Sequence, residues 1–241
     1  MPNQHGPQDH EPSRSLRAIR AVRSHVQPGS FPLLLGATVV LYVLNGLAVE
    51  STSGKILAQA ARVGVTAAGI YVLSANRVTL WLGVFVWALE ITLAAGLWVV
   101  DPWANRVAQD AITMTFLLWV IVVVLREVFR PGTTELDAVI GALCAFVLIL
   151  TLFMRLHGLL EALHPGSYQA NGPPLSSSSD VMVLAIFQYF STVTLTTVGF
   201  GDIVPITPAA RLATGLEAVV GQLYLAVVIA TLVGRVAARR G

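Results

Sequence analysis

The chain has 241 residues, of which 55% are hydrophobic and only 12% are charged, and its formal net charge is +2. A soluble domain usually carries about 25% charged residues, so the composition excludes an ordinary soluble protein and indicates a membrane protein. The small net charge gives no support for a nucleic-acid partner, and the single cysteine, Cys144, excludes a disulfide framework.

The N-terminal segment, residues 1–30, is polar and basic. Its first 25 residues lack the apolar core and cleavage site of a signal peptide. Four arginines recur in it at intervals of three residues: Arg14, Arg17, Arg20 and Arg23. We interpret the segment as cytoplasmic and expect a basic amphipathic helix that binds the headgroups of anionic lipids.

Six segments after residue 30 approach the length of roughly 20 apolar residues that a membrane-spanning helix needs. They lie at about 31–49, 56–75, 79–100, 111–128, 136–158 and 208–235. Residues 165–180 form a polar loop, and residues 181–195 form an apolar helix too short to cross, with Ser179 or Asp180 as its N-cap. The sequence therefore predicts an all-α membrane protein, with a four-helix peripheral domain at 31–130 and a second domain at 131–241.

The positions of lysine and arginine predict the orientation, because cytoplasmic loops are enriched in these residues. With the N-terminus inside, ten of the 15 lysines and arginines fall on the inner side of the six spans. We therefore expect a multi-pass protein of the cell membrane with both termini in the cytoplasm. The short helix and the segment that follows it would then open outward.

The segment after the short helix is the most informative one: Thr196-Thr197-Val198-Gly199-Phe200-Gly201-Asp202. Non-helical backbone at membrane depth is tolerated only where it is buried in protein or lines a watery path. Glycine permits backbone conformations that a Cβ forbids, and alternating permissive residues let successive carbonyls point the same way. Four copies would stack rings of oxygens that replace the water around K⁺, the design of potassium-channel filters, with the Thr197 hydroxyl at the inner end.

The stretch from about residue 136 to 236 resembles the potassium channel family. The motif continues without a gap from Thr194 to Asp202, an aromatic pair precedes it at Tyr189 and Phe190, and Pro208–Arg211 leads into a long inner helix. The resemblance implies a bacterial plasma-membrane channel that conducts K⁺ passively as a homotetramer, without enzymatic activity or a cofactor. It places the filter at Thr197, Val198, Gly199, Phe200 and Gly201, with K⁺ bound at the first four.

The resemblance also indicates which residues support the filter: Thr196, Asp202, Tyr189 and Val193. Phe200 stands where many members have tyrosine, and Val193 stands where some bacterial members have a glutamate that pairs with the aspartate. Asp202 must then find another partner, and Tyr189 is the nearest candidate by position. We expect the outer support of this filter to be weaker than in members that have both groups.

Several residues outside the filter have more than one interpretation. Gly221, near the middle of the inner helix, is either a gating hinge, as the family often has there, or a small residue for helix packing. Glu90 lies deep in an early span, where Arg62 is its plausible partner, and the pair is either structural or functional.

Polar residues around the outer loop are expected to have ordinary roles. His157, Glu161 and His164 flank the loop and are predicted to be solvated, because none has metal-ligand spacing. Glu217, on the inner helix, is expected to cap a helix or to pair between subunits.

Weak or absent voltage dependence is expected, because no span has the regular arginines of a voltage sensor. The N-terminal arginines have that spacing but precede the first span, whereas sensors directly precede the pore helices. Rival functions are a non-selective cation channel, a K⁺ transporter subunit and a membrane enzyme. The sequence leaves open whether the peripheral helices pack on their own pore domain or on a neighbour's.

Overall fold

The structure is a computed structural model of the chain. It describes residues 31–46, 63–71, 77–95, 101–131, 133–170, 175, 180–228, 230–231 and 234. The N-terminal segment with its four arginines lies outside the described residues, and so does Arg62, the predicted partner of Glu90.

Six helices and one small sheet organise the described residues. The helices are α1 (Phe31–Gly46), α2 (Arg77–Ala94), α3 (Pro102–Val128), α4 (Glu135–Leu163), α5 (Asp180–Leu195) and α6 (Pro208–Leu223). Residues 63–71 are also helical, and α6 continues directly into a π-helical turn, Tyr224–Val228. The strands are β1 (Tyr168–Ala170) and β2 (Ile203–Pro205).

Three of the described helices are long and apolar enough to cross a membrane: Trp103–Val128, Glu135–Leu163 and Pro208–Val228. Three shorter apolar helices lie at Phe31–Gly46, Leu80–Leu93 and Met182–Leu195. The prediction of a largely helical membrane protein is therefore confirmed, and so is the short helix at 181–195. The count of six spans stays a prediction.

Helix α3 begins nine residues before the predicted start of its span at residue 111. The Asp101 carboxylate caps it by accepting hydrogen bonds from the backbone N–H groups of Trp103 and Ala104, and Pro102 occupies the first turn. The polar first turns stay helical because the side-chain amides of Asn105 and Gln109 donate to the Leu93 carbonyl of α2. Hydropathy marks the apolar part of a helix and misses such a polar beginning.

Helices α3 and α4 pack side by side as an antiparallel pair. Near their connection, a Cβ added to Gly141 of α4 would stand 2.7 Å from a methyl carbon of Val128 and 3.4 Å from the Phe31 ring of α1. At the other end, the Trp103 indole N–H donates to the Ala162 carbonyl, 3.2 Å away. Within this chain, helices α1 and α3 thus pack on α4.

The two-stranded sheet joins the residues before α5 to the residues that follow the glycine-rich segment. Strands β1 and β2 are antiparallel, with Tyr168 opposite Pro205 and Ala170 opposite Ile203. The Ile206 N–H extends the pairing by donating to the Ser167 carbonyl, 2.8 Å away. The sequence predicted only a polar loop at 165–180, because a three-residue strand has too short a pattern to detect.

Candidate functional site

The predicted filter has a backbone in which every second residue is left-handed. Thr197, Gly199 and Gly201 have φ values of 61°, 53° and 77°, whereas Val198 and Phe200 between them have no positive φ. Such alternation turns successive N–H groups to one side of the chain. Because each peptide is planar and trans, the carbonyl oxygens are turned to the opposite side.

The N–H groups of this segment are bound by the C-terminal end of α5. The Thr197 N–H donates to the Thr194 carbonyl at 2.9 Å, and those of Val198 and Gly199 both donate to the Val193 carbonyl, at 2.8 and 3.1 Å. Among the described residues, no backbone hydrogen bond uses a carbonyl oxygen of Thr197–Gly201. The first three residues of the segment therefore have their donors satisfied, and the segment keeps a row of acceptors available for a ligand.

Val193 supports the segment in a way that the sequence did not indicate. Its side chain is buried, and its backbone carbonyl is the acceptor shared by two filter amides. From the sequence, Val193 is notable only because it lacks the glutamate carboxylate that some bacterial members have at this position. Any residue type supplies the carbonyl, so no sequence signal could have pointed to it.

Thr197 adopts a left-handed backbone, which is uncommon for a β-branched residue. Conformations of this kind cost about 1–3 kcal/mol, persist only where the surroundings enforce them, and cluster at functional sites. The Thr196 hydroxyl, next to it, donates to the Thr192 carbonyl at 2.6 Å and holds the preceding residue on α5. The strain lies where the sequence placed the inner end of the filter.

The aromatic side chains on the outer side of the segment lie face to face. The rings of Tyr189 and Phe200 are parallel within 2°, with their centroids 6.4 Å apart. The Tyr189 hydroxyl also lies close to the Asp202 carboxylate. Tyr189 thus lies beside Asp202, as the sequence indicated, and a hydrogen bond between the two stays a prediction.

Helix α1 contacts the rear of α5 directly, which the sequence did not predict. The hydroxyls of Tyr42 and Thr192 are 2.9 Å apart, and the Gln188 side-chain amide donates to the Tyr42 carbonyl at 2.8 Å. The Thr192 hydroxyl also donates to the Gln188 carbonyl. The first predicted span is therefore in contact with the helix that carries the filter.

Gly221 lies against the end of α5. A Cβ added there would stand 2.0 Å from the Leu195 carbonyl oxygen, so the absence of a side chain permits this close approach. The π-helical turn begins three residues later, at Tyr224, whose hydroxyl donates to the Ala142 carbonyl of α4. In this conformation Gly221 is a packing residue, and its role as a hinge stays a prediction.

The prediction of solvated side chains beside the outer loop is wrong for His157 and Glu161, and it holds for His164, which is exposed. His157 is fully buried in α4, with its ring nitrogens 2.5 Å from the Tyr168 hydroxyl and 2.8 Å from a Glu217 carboxylate oxygen. The Glu161 carboxylate accepts the N–H groups of Gly166 and Tyr168. Glu217 thus pairs within its own chain.

A buried charged pair connects α3 to α4. The Arg155 guanidinium and the Asp110 carboxylate are 2.9 Å apart, and both side chains are buried. On the same face of α3, the Thr113 hydroxyl donates to the buried Glu90 carboxylate of α2 at 2.9 Å. One feature of the sequence indicates such a pair. Arg155 lies inside an apolar helix, and a charged side chain in that position requires a partner.

The ion channel family model matches residues 168–238 of this chain. The matched part contains the sheet, α5, the left-handed segment and α6. The match and the apolar helices support a passive ion channel in a membrane and a non-enzymatic role. No curated protein is detectably similar to the chain.

Proposed function

We propose that this protein is a potassium-selective channel in which the carbonyls of Thr197–Gly201 select the ion. The observation that carries the proposal is the alternating backbone, whose first three amides donate to α5 and whose carbonyls are turned away from it. Carbonyl oxygens in rings substitute for the hydration shell of K⁺. The segment supplies five consecutive residues for such rings.

One chain supplies one strand of a filter, so a closed ring of oxygens requires several copies, and we propose a homotetramer. The exposed surface of α6 supports assembly: Leu212, Leu216, Val219 and Leu223 are each more than half exposed and follow a helical spacing. Val198 and Phe200 of the filter are exposed on the single chain as well. We propose that neighbouring subunits cover part of these apolar surfaces.

The proposed topology has six spans, with both termini in the cytoplasm of a bacterial cell. The three long helices, the shorter apolar helices Phe31–Gly46 and Leu80–Leu93, and the helical residues 63–71 correspond to the six proposed spans. The third short helix, Met182–Leu195, is the one that does not cross. The cation is cargo, and the proposal includes no cofactor and no nucleic acid. Binding of anionic lipid at the N-terminal arginines is part of the proposal and concerns residues outside those described.

A non-selective cation channel is the nearest rival. Such a filter would lack some of the carbonyl positions, whereas this segment keeps left-handed residues at all three alternate positions from Thr197 to Gly201. A K⁺ transporter subunit would carry several degraded pore loops, and the sequence has a single intact one. An enzyme would need a convergent set of acid, base or metal groups at a site open to substrate.

The test is ion flux through the purified protein in liposomes. We expect uptake of K⁺ and Rb⁺ and exclusion of Na⁺, with a reversal potential that follows the K⁺ gradient, and empty liposomes are the control. Native mass spectrometry should give four copies of the 25.7 kDa chain. A reversal potential that depends on the summed concentrations of K⁺ and Na⁺ would favour the non-selective rival. The absence of any ion flux would reject the proposal of a channel.

A further inference from the structure

Four titratable side chains from three elements meet behind the filter and are called here the His157 cluster: His157, Glu161, Tyr168 and Glu217. His157 and Glu217 are fully buried, and their Nε2 and Oε2 atoms are 2.8 Å apart. The Tyr168 hydroxyl is bound to the other ring nitrogen of His157. The hydrogen bond between His157 and Glu217 connects α4 to α6.

Aromatic rings enclose the imidazole. The ring centroids of Phe190, Phe187 and Phe153 lie 5.1, 6.1 and 6.3 Å from that of His157. Such walls exclude water, and in a low-dielectric interior a polar group without a partner is costly. Removing Glu217 therefore leaves the Nε2 atom of His157 without its partner in an apolar surrounding.

The cluster contacts the filter from its outer side through the sheet. Tyr168 lies on β1 opposite Pro205 of β2, and β2 begins two residues after Gly201. Burial and the charge of Glu217 raise the pKa of the Tyr168 hydroxyl, so this hydroxyl stays protonated and available to His157. A displacement of His157 would therefore move the residues that leave the filter.

The cluster contacts the filter from its inner side through α6. Glu217 and Gly221 are four residues apart and lie on the same face of this helix. Gly221 lies against the carbonyl of Leu195, two residues before Thr197, and the Ser191 hydroxyl of α5 lies beside the Glu217 carboxylate. The position of Glu217 thus sets how closely α6 approaches the base of the filter.

We propose that the His157–Glu217 hydrogen bond is a positioning contact of the filter: it holds α4, α6 and the sheet in the one arrangement that keeps the carbonyl rings selective. This inference rests on the proposed function of the channel. Neither residue touches the permeant ion, and both act through the segments on either side of Thr197–Gly201.

Three variants separate this role from a contribution to folding alone. The double variant His157→Leu/Glu217→Leu removes the hydrogen bond but leaves an apolar interior, a replacement that is often neutral or stabilising for the fold. Glu217→Gln keeps an oxygen that accepts the Nε2–H bond. The matched control is Asp110→Leu/Arg155→Met, which replaces the other buried pair of α4, a pair that joins α4 to α3.

The measurements are the K⁺/Na⁺ permeability ratio of reconstituted channels and their melting temperature. We expect the His157→Leu/Glu217→Leu variant to assemble and to lose about tenfold in the ratio, which corresponds to about 1.4 kcal/mol. Glu217→Gln and the control pair should stay close to the parent ratio. A merely structural pair would change the melting temperature and leave the ratio of the assembled channels unchanged.

Two results would overturn the inference. One is a parent-like ratio in the double leucine variant, and the other is a Glu217→Gln variant that loses as much selectivity as the double variant. If the double variant does not assemble, the Glu217→Asp variant is measured instead. Its carboxylate is one methylene farther from His157, and an unchanged K⁺/Na⁺ permeability ratio would reject the positioning role. A parent protein that conducts no K⁺ rejects the proposed function instead, so the two failures are distinguishable.

Discussion

Gly221 of the inner helix, α6, and Leu195 at the end of α5 are in backbone contact: a Cβ on Gly221 would stand 2.0 Å from the Leu195 oxygen and 2.9 Å from its carbonyl carbon. The contact atoms are backbone, which cannot rotate away as a flexible side chain would. Leu195 is followed directly by the threonines at the base of the filter. The packing of these two helices therefore fixes where the filter begins.

A Gly221→Ala substitution is expected to displace α6 from α5. The added methyl overlaps the Leu195 backbone, so the helices must separate and the conducting assembly is lost or its K⁺ flux falls by at least about tenfold. Gly215→Ala is the matched control, because a Cβ on this glycine of the same helix has no neighbour within 4 Å. Size-exclusion chromatography and K⁺ flux measure both, and a Gly221→Ala variant with parent-like values would contradict the packing.

A Gly199→Ala substitution is expected to abolish selective conduction for a different reason. No atom lies within 4 Å of the Cβ position, but φ is 53°, and a left-handed backbone costs an alanine about 1–2 kcal/mol. Gly166→Ala is the control, since Gly166 has φ of 87° in the outer turn and equal space around it. If Gly199→Ala channels still passed K⁺ and excluded Na⁺ in liposomes, the assignment of the filter would be wrong.

Much of the filter could be predicted from sequence, because its constraints lie within a few consecutive residues. The glycines at 199 and 201 indicate a left-handed backbone at these positions, and the structure has one at both. The surrounding contacts could not be predicted in the same way. His157 and Glu217 are 60 residues apart in the chain. Polar residues beside a loop form the same local pattern whether they face solvent or are buried by a distant helix, so the sequence alone does not distinguish the two cases.

A Tyr189→Phe substitution is expected to accelerate the decay of K⁺ current. It removes the hydroxyl that we predict to bind Asp202 and keeps the ring that stacks on Phe200. A hydrogen bond of this kind is worth about 0.5–1.5 kcal/mol net, which corresponds to a several-fold change in rate. Phe200→Tyr adds a hydroxyl next to Tyr189 and should slow the decay. Current recordings at constant voltage test both, and unchanged decay in Tyr189→Phe would exclude the hydroxyl from filter support.

An Asp110→Asn substitution is expected to destabilise the contact between α3 and α4. It leaves the Arg155 guanidinium buried without its carboxylate, and breaking a buried pair in this way costs about 3–5 kcal/mol. The double variant Asp110→Leu/Arg155→Met removes both charges and should recover most of the melting temperature. Thermal melting in detergent measures all three proteins. An Asp110→Asn protein that melts with the parent would show that the pair contributes nothing.

The charged residues of the peripheral helices determine how much net charge could move through the membrane field. Between Arg106 and Arg126, helix α3 has no arginine or lysine, and the one acidic residue of this stretch, Asp110, is paired with Arg155 on α4. A paired carboxylate and guanidinium that move together carry no net charge. Glu90 of α2 is buried and bound to Thr113, and its predicted partner is Arg62.

The last prediction is that opening of the channel depends little on voltage. Each elementary charge that crosses the whole field contributes about 2.3 kcal/mol per 100 mV, and steep sensors carry about three to four such charges per subunit. If Glu90 alone crossed half of the field in four subunits, about two charges would move, or roughly 4–5 kcal/mol per 100 mV. A conductance–voltage curve in symmetric K⁺ should therefore be shallow. An effective gating charge near about ten would contradict this, and its loss on neutralising Arg14, Arg17, Arg20 and Arg23 would assign the sensor to the N-terminal segment.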